Sequence, residues 1–336
     1  MTGVPNTGYV ATAADRVVVN LPPSASLAVG DTLRVSGAGP GGWRVARAPG
    51  QLLRAPFTDG VGSFPVPANA WSALALSGDA SRIVAVLASG VVYTSDDFAA
   101  TLHAGPRCAA CITVAASADG QRLAASDVHG GVHISADGGS GWFDAAPLGA
   151  SGALAVAMSG DGERLFAVGV DDGVLYASDD FGASWEPRVA GGKAPAGFLS
   201  VWAAADGEHL VAKGWDTGLY TSPDGGFTWF AALPPSDYRG VASSADGTRI
   251  AAVDYQGFIS TSSDAGATWS AGSQRAGWLT IASSADGLQL VAGADADALY
   301  RSDDGGASWY ATSPVGNWLA VASSADGSHL AAVAAN

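Results

Sequence analysis

Small and β-branched apolar residues come in short runs of four to six along this chain, each bounded by Asp-Gly or Gly signals. In the stretch from Tyr238 to Gly277 the runs fall at Gly240–Ser243, Arg249–Val253 and Phe258–Thr261, with a fourth beginning at Trp269. Runs this short, with turn residues between them, predict four antiparallel strands and no helix. The same wording recurs at a nearly constant step. A phrase Ser-x-Asp-x-Gly-x-x-Trp begins at Ser135, Ser178, Ser222, Ser262 and Ser302, and a degenerate copy begins at Ser95. The starting serines advance by 40, 43, 44, 40 and 40 residues, the period of four-stranded propeller blades. A second phrase runs in step with it, Ser-Ala-Asp-Gly or a close variant, starting at Ser77, Ser117, Ser159, Ala204, Ser244, Ser284 and Ser324. Counting these turns predicts an all-β, seven-bladed propeller.

Within each unit the two repeating turns fall at one end of the blade, because they join strands one to two and three to four. The opposite end carries connections that differ between repeats, so a site is expected there. Only two strands' worth of sequence, Ala320 to about Val333, remains for the seventh repeat. The stretch Asp59-Gly60-Val61-Gly62-Ser63-Phe64 echoes the box and is expected to supply the missing strands of a closing blade, pairing 48–70 with 320–335. The predicted division is a small N-terminal β module over 1–47 and the propeller over 48–336. Within 1–47, Leu21-Pro22-Pro23 followed by Gly30-Asp31-Thr32-Leu33-Arg34-Val35 is similar to segments of phage tail-fibre and bacterial surface proteins.

The repeated phrase resembles the box of the Asp-box (bacterial neuraminidase repeat) propellers, a family that includes sialidases, sortilin, xyloglucanases and the photosystem II assembly factor. The wider wording also looks like propeller lectins. The resemblance implies that the box is structural: Ser and Asp tie the turn, Gly supplies a positive φ, and Trp packs beneath. It implies a fold rather than an activity.

Composition narrows the function classes. A hydrophobic share of 48% with 14% charged residues excludes a disordered chain, and no apolar run approaches the roughly 20 residues of a membrane span. The formal charge of −15 disfavours nucleic acid and anionic membrane as partners. Most of the Asp that creates this charge sits in the repeating turns, where carboxylates accept backbone N–H groups. The N-terminus lacks the basic stretch and apolar core of a secretory signal, and compartment and oligomeric state stay open. A sialidase needs a tyrosine nucleophile with a glutamate partner. Glu163, Glu186 and Glu208 are the only glutamates, and each lies beside an invariant turn. Cys108-Ala109-Ala110-Cys111, with His103 upstream, has zinc-knuckle spacing but no second ligand pair, so ordinary thiols or a local disulfide are the expected states. No cofactor or metal is expected.

The residue six before each Ser-Ala-Asp-Gly turn is Trp71, Cys111, Ala153, Phe198, Tyr238, Trp278 or Trp318. Each starts an innermost strand on the variable face. Two readings compete: wedges between neighbouring blades, or platforms for sugar rings beside the loops that contain Trp215, Asp254 and Asp295. On the second reading Trp71, Phe198, Trp215, Tyr238, Asp254, Trp278, Asp295 and Trp318 bind ligand, and the chain is a non-catalytic, lectin-like glycan binder with repeated sites. The alternative is a protein-interaction or assembly scaffold, and a glycosidase of sialidase type comes third.

Overall fold

The computed structural model describes four strands within residues 1–46 and then residues 71–336, apart from 88, 98–100, 108–110, 128, 146–147, 149–151, 170, 189–196, 217, 256, 314 and 336. The chain divides into two compact units, Met1–Thr58 and Asp59–Asn336. In the first, β1 (Thr7–Ala11), β2 (Val17–Asn20), β3 (Leu33–Gly37) and β4 (Trp43–Ala46) form two parallel pairs. Thr7 lies opposite Leu33 in one pair and Val17 opposite Trp43 in the other, so both pairs keep one sequence offset.

The second unit is a β-propeller. Its first blade contains β5 (Trp71–Leu76), β6 (Ile83–Leu87), β7 (Val91–Ser95) and β8 (His103–Arg107), hydrogen-bonded in chain order. Five further four-stranded blades follow over 111–144, 153–187, 198–233, 238–275 and 278–311. A two-stranded sheet, Asn317–Ser323 with Leu330–Ala335, ends the chain. The expectation of seven four-stranded blades is therefore corrected to six. Turn counting overestimates because the sheet that carries the Ser324 turn has two strands among the described residues, where the other six have four. The Asp59–Phe64 echo and the pairing expected of 48–70 lie outside the described residues.

The turns between strands one and two hold the ring together. Gly78 N donates to Ala118 O, Ala118 N to Gly160 O, Gly160 N to Ala205 O, Asp206 N to Ala245 O, Ala245 N to Ala285 O, Ala285 N to Ala325 O, and Ala325 N back to Gly78 O. Each bond reaches from one turn to the next, so the inner strands encircle a common axis with these turns at one end. Small residues are required there because backbone touches backbone: a Cβ on Gly78 would lie 3.2 Å from Ala118 O.

The Ser-x-Asp-x-Gly-x-x-Trp phrase folds as one turn. In the last copy Ser302 Oγ donates to Asp304 Oδ1 at 2.8 Å and accepts from Gly306 N at 2.8 Å, while Asp304 accepts from Ser308 N and Oγ. Gly306 sits at φ +93, and a Cβ there would lie 2.7 Å from Thr261 Cγ2, so only glycine fits. Trp309 Nε1 closes the turn on Gly306 O at 3.1 Å. The degenerate copy at Ser95 keeps the Ser95–Asp97 and Thr101–Asp97 bonds.

Candidate site on the variable-loop face

Every inner strand carries a register shift near its start. Trp71 pairs with Leu87 and Ala73 with Val86, leaving Ser72 without a place in the ladder. The same break follows Cys111, Ala153, Phe198, Tyr238, Trp278 and Trp318. Such bulges re-aim side chains. Here the bulge separates an aromatic that turns inward from a next residue that does not.

The inward aromatics wedge between blades. Trp278 has 0% exposure and packs among Ala251, Val253 and Ile259 of the preceding blade and Leu290 and Ala292 of its own. Its ring stands edge-on to Tyr300 with centroids 5.3 Å apart and lies 6.3 Å from Trp309. Phe198 repeats the arrangement with Tyr220 at 6.3 Å and Trp229 at 4.7 Å, and Trp71 meets Tyr93 at 5.7 Å. Tyr238 is buried, its hydroxyl donating to Pro234 O, and burial pushes its pKa up to about 12 with help from Asp254. Trp318 is buried with Nε1 on Asp297 O at 3.0 Å. Of the predicted aromatics, Trp71 is half-buried and Phe198, Tyr238, Trp278 and Trp318 are buried, so their faces are used by the blades themselves.

Trp215 differs. It lies in the loop between the second and third strands of the fourth blade, 53% exposed. Its Nε1 donates to Phe198 O at 3.0 Å, and its backbone N donates to Gly197 O. Gly197 makes room for it, since a Cβ at that residue would lie 3.2 Å from the indole. A short relay fixes the loop from below. The box tryptophan Trp229 packs on Phe198, Phe198 packs on Tyr220, and Tyr220 donates its hydroxyl to Asp216 Oδ2 at 2.6 Å. Asp216 Oδ1 also accepts from Gly218 N. The indole is thus held in place while much of its surface stays open.

The acidic loops are built in the same way. Asp172 accepts from Val174 N and Tyr176 Oη, and Asp297 from Ala298 N and Tyr300 Oη. Asp295, exposed, accepts from Tyr255 Oη at 3.1 Å, and half-buried Asp254 accepts from Ser236 Oγ. Burial first and then the bond to Asp172 raise the Tyr176 pKa; for Tyr220 and Tyr255 the bonds to Asp216 and Asp295 come first. The structure brings Trp215 and Phe198 together in one blade, and Tyr238 and Asp254 in the next as an antiparallel pair. Trp278 pairs in register with Ala294, the residue before Asp295.

Elsewhere on the second blade, His133 bridges Asp127 and Asp144 at 2.9 and 2.8 Å. Cys111 is buried and disulfide-bonded; Cys108, the only other cysteine in the sequence, lies outside the described residues. Among the described residues no group of three His, Cys, Asp or Glu is arranged to hold a metal ion, and no helix is long and apolar enough to cross a membrane.

The sequence reading named Trp215 and did not name Leu199 and Leu319, which are 37% and 36% exposed directly after buried aromatics. The available signal was an aliphatic residue following the aromatic position in most repeats, against the alternation of a regular strand.

No family model and no curated protein matches the chain. Among solved structures it is similar to YCF48 from Cyanidioschyzon merolae, at 18% identity, with 81% of this chain and 95% of that chain covered and a TM-score of 0.61. At that identity the likeness is one of fold, and the fold it supports is a β-propeller of four-stranded antiparallel blades.

Proposed function

We propose that this propeller is a non-catalytic protein-interaction scaffold that engages its partner through the variable-loop face. The observation that carries the reading is Trp215, 53% exposed yet anchored through Nε1. Tryptophan is enriched among the residues that dominate binding energy, and a side chain already held in place loses little entropy when covered. Glycan binding along the aromatic row has less support, since a sugar stacks on an open ring face and Trp278 offers none.

The test places a photo-crosslinking amino acid at Trp215 and, separately, at Ser308 on the opposite face, in cells of the source organism. The scaffold reading expects one or a few discrete protein adducts from position 215 and none of the same adducts from 308. Adducts confined to 308, or a glycan-array signal abolished by Trp215→Ala with no protein adduct, would overturn it.

A further inference from the structure

His133 is the second residue of the third strand of the second blade, Val132–Ser135. In the third, fourth and sixth blades the equivalent residue is Tyr176, Tyr220 or Tyr300, and its hydroxyl donates to a loop carboxylate, Asp172, Asp216 or Asp297. A phenol keeps its proton to about pH 10, whereas histidine changes charge between about pH 5 and 8. The second blade therefore has a titratable group where these three have a neutral donor.

The geometry of the ring fixes what its proton does. Nε2 lies 2.9 Å from Asp127 Oδ2, and Nδ1 lies 2.8 Å from Asp144 Oδ1. Ionised carboxylates only accept, so both bonds form together only when both ring nitrogens have hydrogens, which is the imidazolium state. Neutral imidazole has one N–H and leaves one carboxylate without its donor. The two carboxylates differ in what that loss costs. The side chain of Asp127, at the end of the second strand, is 7% exposed, and its Oδ1 also accepts from His129 N and Gly131 N. Burial raises its pKa, but the bonds from His133, Gly131 and His129 outweigh burial and hold it below the ordinary value. Asp144, opposite His133 on the fourth strand, is 87% exposed, so water replaces its donor at little cost. Neutral His133 thus keeps its hydrogen on Nε2, toward Asp127, and lets Asp144 go. Among the described residues, Asp127 from the second strand and Asp144 from the fourth are the charged side chains bonded to the ring, and His129 meets the cluster through its backbone N.

The fourth strand of this blade is two exposed residues, Phe143–Asp144. It pairs with the third through His133–Asp144 and Ile134–Phe143, and Ala145 N donates to Val132 O at 2.9 Å. So short a ladder depends on side-chain ties more than the four-residue strand Phe230–Leu233 of the fourth blade does.

We propose that His133 is a pH-sensitive catch: its protonated ring ties the outer strand Phe143–Asp144 to the buried Asp127, and loss of the proton frees that strand while Asp127 stays bonded. The tie is complete below the histidine range and is lost as pH rises through it.

Two measurements on the full chain test this. Imidazole nitrogen NMR of His133 should show both nitrogens protonated at about pH 5 and the Nε2–H tautomer at about pH 8. Amide exchange at Phe143, Asp144 and Ala145, corrected for the intrinsic pH dependence of exchange, should lose protection about threefold over the same range, the scale of a half-exposed ion pair. Protection in Phe230–Leu233 should stay constant. His133→Tyr, which installs the residue type of the other blades, should abolish the pH dependence at 143–145. Asp144→Ala should show the low protection at every pH. If His133→Tyr does not fold, the parent and Asp144→Ala decide. A neutral ring at about pH 5, an Nδ1–H tautomer at about pH 8, parent protection at 143–145 that does not fall, or a pH dependence that persists in Asp144→Ala overturns the proposal.

Discussion

Ala325 donates its backbone N–H to the carbonyl of Gly78 at 2.6 Å, joining the last repeat turn of the chain to the first. That bond completes the cycle that runs through the turns between first and second strands, so the first and last of these turns are held by the same device that joins neighbouring blades. Replacing Ala325 with proline removes the donor and leaves a carbonyl unpaired, at a cost of about 1 to 3 kcal/mol. Urea unfolding should register the loss, and amide exchange should quicken in Trp71–Leu76 before it does in the third blade. Unchanged stability and exchange would mean that the closure bond contributes nothing.

The box serines should matter through their oxygens. Ser302 is fully buried and serves both Asp304 and Gly306, so Ser302→Ala strands the Gly306 N–H in the turn. The expected loss is about 1 to 3 kcal/mol by chemical denaturation. Ser308→Ala, on the exposed side of the same turn, should cost less because water replaces the lost hydroxyl.

Trp278→Ala should act as a core truncation. It empties the wedge between the fifth and sixth blades and should cost about 3 to 5 kcal/mol. Partner binding by the protein that remains folded should stay within twofold of the parent's, roughly 0.4 kcal/mol. A sugar-platform role predicts the reverse, lost binding with stability preserved.

Acid should unfold the protein through its turns. Side-chain hydroxyl and backbone N–H donors hold Asp246, Asp264, Asp304 and Asp326 down at about 2, below their ordinary value of 3.8. Between those limits the unfolded chain binds more protons than the folded one, so stability rises with pH there. The contribution is complete above about pH 4 to 5 and is lost as pH falls toward 2. Denaturant midpoints measured at pH 6, 4, 3 and 2 should decline mainly over the last two steps. A decline already complete at pH 4 would place the sensitive groups elsewhere.

Much of the fold was legible because the turn chemistry is local. Ser, Asp and Gly at fixed offsets specify a backbone conformation whatever surrounds them, and even the degenerate Ser95–Asp97 turn forms. Blade number was not legible in the same way, because a turn between strands one and two does not report how many strands its sheet holds, and the sheet that carries the Ser324 turn has two among the described residues. The site was only partly readable. Trp278 and Trp215 are the same residue type in the same chain, yet one is wedged between sheets and the other stands on a loop. That difference depends on Gly197 beside Trp215 and on the packing of Phe198, neither of which a motif reports. The bulges were invisible for a similar reason, since a register shift is a property of two strands together.

The most direct measurement of the central claim is a titration of the protein crosslinked at position 215 against the parent chain and Trp215→Ala, with denaturant unfolding followed on both. The interaction reading predicts an affinity loss of about 2 kcal/mol or more, roughly thirtyfold, with unfolding changed by less than about 0.5 kcal/mol. Full affinity in Trp215→Ala, or a loss matched by a comparable drop in stability, would contradict it.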